Sequence, residues 1–277
     1  IVFQPDNSNI QLSNPGYVPV IKDSVTYYGG SQMWFSGKDK LSKDYIIRTY
    51  GCGTIAAADL FLYLALQHPN YRNPLTEIAF QGDSTIDYPN YDTYVRNINN
   101  KYTKTRRIIA VLGPWLAHSV NSYADTYGLH YHASWKLTLT YYDMYEMIKE
   151  MLCQDIPVIL SIGPNTPNLW GNKGISFYQK YQIEGLEKEK AEGNSTEAEK
   201  VPKYYYMALT NDVNSHYITV TGIETDEVFG KVMLRISSWG KSYYINYEEY
   251  RDYIETTGGT FTSSILYIRN NQYLLYE

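Results

Sequence analysis

One stretch restricts what this chain can fold into more than any other: Tyr50 to Gln67, Tyr-Gly-Cys-Gly-Thr-Ile-Ala-Ala-Ala-Asp-Leu-Phe-Leu-Tyr-Leu-Ala-Leu-Gln. It is rich in Ala and Leu, only Thr54 and Asp59 interrupt its apolar run, and Pro69-Asn70 stops it. A helix that is apolar on every side has to lie inside a domain, so the stretch predicts a buried helix with Cys52 at its amino end. A helix amino terminus carries roughly half a positive charge. It stabilises a thiolate, and its free N–H groups can face an oxyanion formed beside the sulfur. Gly51 and Gly53 let a carbonyl approach the backbone closely. Free cysteines also serve as small core hydrophobes, so a reactive Cys52 requires a base elsewhere in the chain.

With 277 residues and 44% hydrophobic content the chain is large enough for one big domain or two lobes. A net charge of −5 without a basic stripe argues against nucleic acid as a partner. No apolar run reaches the ~18 residues of a membrane span, so no integral membrane segment is expected. Cys52 and Cys153 are the only cysteines, and a single disulfide would be a thin framework for this length; both read as free thiols. The 31 tyrosines against 7 phenylalanines suit either the amphipathic lining of a groove or a compositional habit. The chain starts at Ile1 without a methionine, which suggests a leader upstream.

Residues 1–49 read as an arm with short strands, including a hairpin over Asp23 to Phe35 that turns at Gly29-Gly30. Helices are expected over Asn73 to Phe80, Asp87 to Asn99 and Gly113 to Tyr127. Thr140 opens a further helix, whose stripe of Met144, Met147, Ile148, Met151 and Leu152 continues to Cys153 and places that thiol in the core. Ile156 to Gly163 is a continuous apolar run of strand length and predicts a central strand. Residues 165–203 change character: Glu184 to Lys200 is dense in mixed charge and reads as an insert, with an Asn194-Ser-Thr196 glycosylation pattern inside it. Strands follow at His216 to Ile223, Lys231 to Gly240, Tyr243 to Ile245 and Ser264 to Arg269, with a short helix from Tyr247 to Thr256. His130 and His132 have the spacing of metal ligands on a strand, but no Cys, Asp or Glu close by completes a set; neither metal nor other cofactor is expected.

His216 supplies the candidate base. It opens a strand that alternates perfectly, with His216, Ile218 and Val220 on one face and Tyr217, Thr219 and Thr221 on the other. An imidazole within ~3 Å of a thiol at a helix amino terminus gives a thiolate–imidazolium pair, with the thiol far below its usual ~8.5. The order of parts is also informative: a helix-borne cysteine, an apolar strand, a strand-borne histidine, a hairpin, then Ser237-Ser238-Trp239-Gly240. This order resembles the papain-like cysteine peptidases, in which a histidine strand is followed by a strand ending Asn-Ser-Trp-Gly. Gly-Cys-Gly before a long Ala/Leu helix, and His-Tyr-Ile-Thr-Val-Thr-Gly-Ile, are most similar to the bacterial C39-like branch.

The resemblance covers roughly Tyr50 to Leu64 and Pro157 to Tyr250. It implies an α+β papain-like fold, with a helical part over about 50–155 packed against an antiparallel sheet part over about 156–277. It also implies a secreted or cell-surface bacterial hydrolase of peptide or amide bonds, with a peptide or protein as substrate. Cys52 then corresponds to the nucleophile, His216 to the acid–base, Ser237 to the ring-orienting position and Trp239 to the aromatic that shields that contact. Two positions depart from the pattern. Ser237 stands where papain-like enzymes carry Asn and the C39 branch Asp, and the oxyanion-donating glutamine, usually about six residues before the cysteine, falls at Ile46. Gln32, Arg48 and Tyr50 are the candidate replacements. A degenerate scaffold that binds peptide or glycan without turnover, and an acyltransferase on the same fold, are the alternative readings.

Overall fold

In this computed structural model residues 9–80, 84–163, 174–183, 202–226, 228–258 and 264–270 are described. The chain enters through β1 (Ile10–Gln11) and a hairpin of β2 (Pro19–Lys22) and β3 (Val25–Tyr28). The hairpin turns at Asp23-Ser24, both with left-handed φ (51° and 63°), and not at Gly29-Gly30. This is the double positive-φ geometry that matches strand twist, adopted here by Asp and Ser. Gly29 (φ 80°) instead bends the chain out of β3 and into a single 3-10 turn, Gln32–Trp34.

The helix α1 (Lys43–Tyr50) covers what the sequence suggests is a simple lead into the cysteine turn; Ser42 caps it by accepting from the Tyr45 N–H. Gly51 ends α1 and starts α2 (Cys52–Gln67), and the two helices meet at 84°. A Cβ on Gly51 would lie 2.3 Å from the Ile47 carbonyl oxygen, so only glycine permits the bend. Every residue of α2 from Cys52 to Ala65 is buried, as its composition requires. Among the described residues no single helix is long and apolar enough to cross a membrane. α3 (Pro74–Phe80), β4 (Ile86–Asp87), α4 (Tyr88–Ile98), α5 (Gly113–Tyr127), β5 (Tyr131–Lys136) and α6 (Tyr141–Cys153) follow. Cys153 is exposed, which corrects the expectation that it lies in the core. It is the last residue of α6, about 100° around the helix from Leu152, and the buried stripe ends there.

The remaining elements are β6 (Val158–Ile162), β7 (Ile175–Gln182), β8 (Tyr204–Val213), β9 (His216–Thr225), β10 (Val232–Ser238), β11 (Lys241–Asn246), α7 (Tyr247–Gly258) and β12 (Ile265–Asn270). They make the protein α+β, with a large antiparallel sheet in the order β5-β12-β6-β9-β10-β11-β7-β8. β7 lies inside the segment that composition marks as an insert; residues 184–201, with the glycosylation pattern, are outside the described residues. Sheet and helices do not divide cleanly along the sequence. β5 belongs to the sheet although it falls within 50–155, and β1 pairs with β9 through Ile10↔Ile223 and Gln11↔Gly222, just beyond the stretch of β9 that β6 covers. The first segment is therefore woven into the core, where Leu12, Tyr17, Val18 and Val20 are buried. Many tyrosines are core residues too, with their hydroxyls bonded to backbone: Tyr250 to the Ser161 carbonyl at 2.8 Å and Tyr253 to that of Gly163 at 3.0 Å.

α2 rests on β9, while α6 packs on β6, β9 and β12, and α7 on β7, β10 and β11. Opposite the Arg235–Ile236 step of β10, β9 carries one extra residue, Thr221, and this shift sets the register that brings Ser237 opposite Thr219.

Candidate active site

Cys52 opens α2, beside the break at Gly51, and is 8% exposed. The backbone amides of Tyr217, Gly53 and Cys52 itself favour the thiolate and pull the pKa of Cys52 down, but burial outweighs them and pushes the thiol up. The Tyr217 ring lies against Gly53, where a Cβ would meet it at 3.2 Å, and its hydroxyl donates to the Val111 carbonyl at 2.7 Å. β9 therefore begins directly over the head of the cysteine helix.

His216, one residue earlier, is buried, and burial lowers its pKa to about 4, so the ring is neutral near pH 7. Its Nε2 lies 2.8 Å from the Ser238 hydroxyl, and Trp239 stacks on the ring at 4.7 Å and 22°. The ring-orienting partner is Ser238, which corrects the expectation of Ser237. The reason is strand parity. Ser237 pairs with Thr219 and shares the face of Tyr217 and Thr219 that meets α2, and its hydroxyl donates to the Tyr28 carbonyl at 2.8 Å. Ser238 pairs off one residue later, on the face of His216.

Cys52, His216, Ser237, Ser238 and Trp239 line one pocket. Among the described residues, however, no hydrogen bond joins the sulfur to the imidazole. The ring is bonded to Ser238, burial raises the thiol and lowers the imidazole, and both groups in the pocket are neutral near pH 7.

Two further polar side chains in the lining, Gln32 and Asp59, matter for the chemistry. Gln32, twenty positions before the cysteine, sits in the pocket with one amide hydrogen donated to the Arg48 carbonyl at 2.9 Å. Of the three candidate replacements for the missing glutamine, it is the one in the pocket; Arg48 itself is exposed. Asp59 lies two turns along α2 from Cys52 and is fully buried. Its Oδ1 accepts from the Tyr91 hydroxyl at 2.6 Å and its Oδ2 from the Gly30 N–H at 2.9 Å, and burial raises its carboxyl to about 7 despite both bonds. Sequence reasoning gave it no role. The available signal was a lone acid on the cysteine's own face of an otherwise apolar helix.

Among the described residues no group of three or more His, Cys, Asp or Glu side chains is placed to hold a metal ion. Comparison with protein-family models, curated proteins and solved structures gave no match to this chain.

Proposed function

We propose that the protein is a papain-like thiol hydrolase of peptide or amide bonds, with Cys52 as nucleophile and His216 as acid–base. The observation that carries this reading is one pocket lined by a thiol at the head of a buried helix, a strand-borne imidazole with an orienting hydroxyl, and a glutamine amide. The neutral resting pair makes His216 a general base. As the sulfur attacks the carbonyl carbon, the imidazole takes the thiol proton. The carbonyl oxygen becomes an oxyanion, for which the Cys52 N–H and the second Gln32 amide hydrogen are the donors this reading assigns. The imidazolium then protonates the leaving amine, and water, deprotonated by the same ring, clears the thioester. Ser238 is a weaker partner for the imidazolium than a carboxylate, so turnover is expected to be modest.

The missing sulfur–imidazole bond, the raised thiol and the serine in the orienting position favour a second reading, a scaffold that binds peptide without cleaving it. Profiling the parent and Cys52→Ala against a fluorogenic peptide library separates the two. Turnover by the parent that Cys52→Ala abolishes supports the hydrolase. Peptide capture by both proteins with no cleavage overturns it in favour of the scaffold.

A further inference from the structure

We propose that Asp59 is a positioning residue for the thiol site: its carboxyl fastens the Gly30 segment to the cysteine helix, so that one rigid element sets both the nucleophile and the Gln32 amide. The proposal rests on the hydrolase reading above.

The geometry is specific. Gln32 stands two residues after Gly30, and Gly30 donates its N–H to Asp59 at 2.9 Å. Tyr91 closes the clamp from behind. Its hydroxyl donates to the other carboxyl oxygen at 2.6 Å and presses on Gly30 so closely that a Cβ there would lie 1.7 Å from it. The preceding residues are tied as well, Tyr28 N–H to the Gly240 carbonyl at 2.9 Å and Gly29 N–H to the Val18 carbonyl at 2.8 Å. Among the described residues, the Asp59–Gly30 bond is the hydrogen bond that joins α2 to the Tyr28–Trp34 stretch. Burying a carboxyl in an apolar helix costs stability that an aliphatic residue would not. What the carboxyl supplies in exchange is an acceptor seven residues from Cys52, on the same helical face. Without that acceptor the Gly30 N–H is left buried and unpaired, and the turn that presents Gln32 is released.

The test uses two probes on the full chain in a Cys153→Ser background. The peptide aldehyde acetyl-Leu-Leu-norleucinal reports on the oxyanion donors: the sulfur bonds to the aldehyde carbon, and the former carbonyl oxygen takes up the thiol proton and lies against them. Iodoacetamide alkylates the sulfur with loss of iodide and forms no oxyanion. Asp59→Ala, or the bulkier Asp59→Leu, is expected to weaken aldehyde binding by about tenfold to a hundredfold and to change the alkylation rate by less than about twofold. Asp59→Asn, which keeps an acceptor, should recover most of that loss, and the Asp59→Ala/Gln32→Ala double variant should lose no more than Gln32→Ala alone. The proposal is overturned if the two losses multiply, if Asp59→Asn binds as weakly as Asp59→Ala, or if alkylation falls in step with aldehyde binding. A parent that forms no aldehyde adduct overturns the hydrolase reading itself, and this inference with it. Should neither truncated variant fold, hydrogen exchange of the Gly30 amide in the parent decides. Protection equal to that of the α2 amides supports the clamp, and exchange at the rate of an open loop refutes it.

Discussion

Asp59→Asn should change how stability depends on pH, by an amount that follows from two buried groups in the one pocket. Folding raises the Asp59 carboxyl from 3.8 to about 7, so the folded protein holds that proton more tightly than the unfolded chain. The stability this gives is fully present below pH 3.8 and is lost as pH rises through about 7. Folding lowers His216 from 6.5 to about 4, the opposite case. Its stability is present above pH 6.5 and is lost as pH falls through about 4. Going from about pH 7 down to about pH 4.5, Asp59 therefore contributes a gain of about 3 kcal/mol and His216 a loss of about 2.5 kcal/mol. In the parent these nearly cancel. Asparagine removes the gain and keeps the local bonds: its carbonyl accepts from Gly30, its amide donates to the Tyr91 oxygen, and the Tyr91 hydroxyl proton turns away. Urea unfolding of both proteins at the two pH values should show the variant losing about 3 kcal/mol more than the parent on acidification, with all other titrating groups cancelling in the comparison. Parallel profiles, within about 0.5 kcal/mol, would refute the assignment of a buried, protonated carboxyl to Asp59.

At neutral pH iodoacetamide should modify exposed Cys153 before Cys52, whose sulfur is buried and whose thiol is pushed up. Peptide mapping reads the order, and faster labelling of Cys52 would show a thiolate that this site does not support. Ser238→Ala removes the partner of His216 Nε2, and turnover on any peptide the parent cleaves should fall by about tenfold or more. Ser237→Ala, which loses only the bond to the Tyr28 carbonyl, should cost about 1 kcal/mol of stability with a smaller effect on rate; equal rate losses would sink the parity argument. Deleting residues 1–40 removes β1 to β3 and the buried Leu12, Tyr17 and Val18, and circular dichroism should report an unfolded chain. A folded deletion product would show that this segment is dispensable.

The elements that the sequence made legible are those with strong, long patterns. α2 is a long apolar run interrupted only at Thr54 and Asp59, α6 has a capped stripe, and β6 and β9 show the continuous and alternating signatures of sheet strands. What stayed hidden depends on single residues or on distance. Gly29-Gly30 is the stronger turn signal on propensity, yet Asp23-Ser24 takes the hairpin because β2 and β3 must pair Pro19 with Tyr28. Ser237 and Ser238 cannot be told apart without the register shift opposite Arg235/Ile236, since the one extra residue of β9, Thr221, changes which residues of the two strands share a face. Gln32 reaches the pocket through tertiary folding of a segment with no local motif, and Asp59 showed only as an interruption. The order of motifs, which resembles that of the papain-like peptidases, singled out Cys52 and His216; the burial that raises the thiol and lowers the imidazole leaves no trace in that order.

The pairing of β1 with β9 also bears on the order of events during synthesis. Gln11 and its partner Glu224 are separated by 213 positions, so the opening strand has nowhere to dock until the final third of the protein has emerged. At about 5–20 residues per second that wait lasts roughly 10 to 40 s, during which the residues of α2 are already synthesised but lack the strand they will rest on. Nascent chains arrested short of Gly222 should be cut by protease around Ile10–Leu12, a site that the finished protein shields.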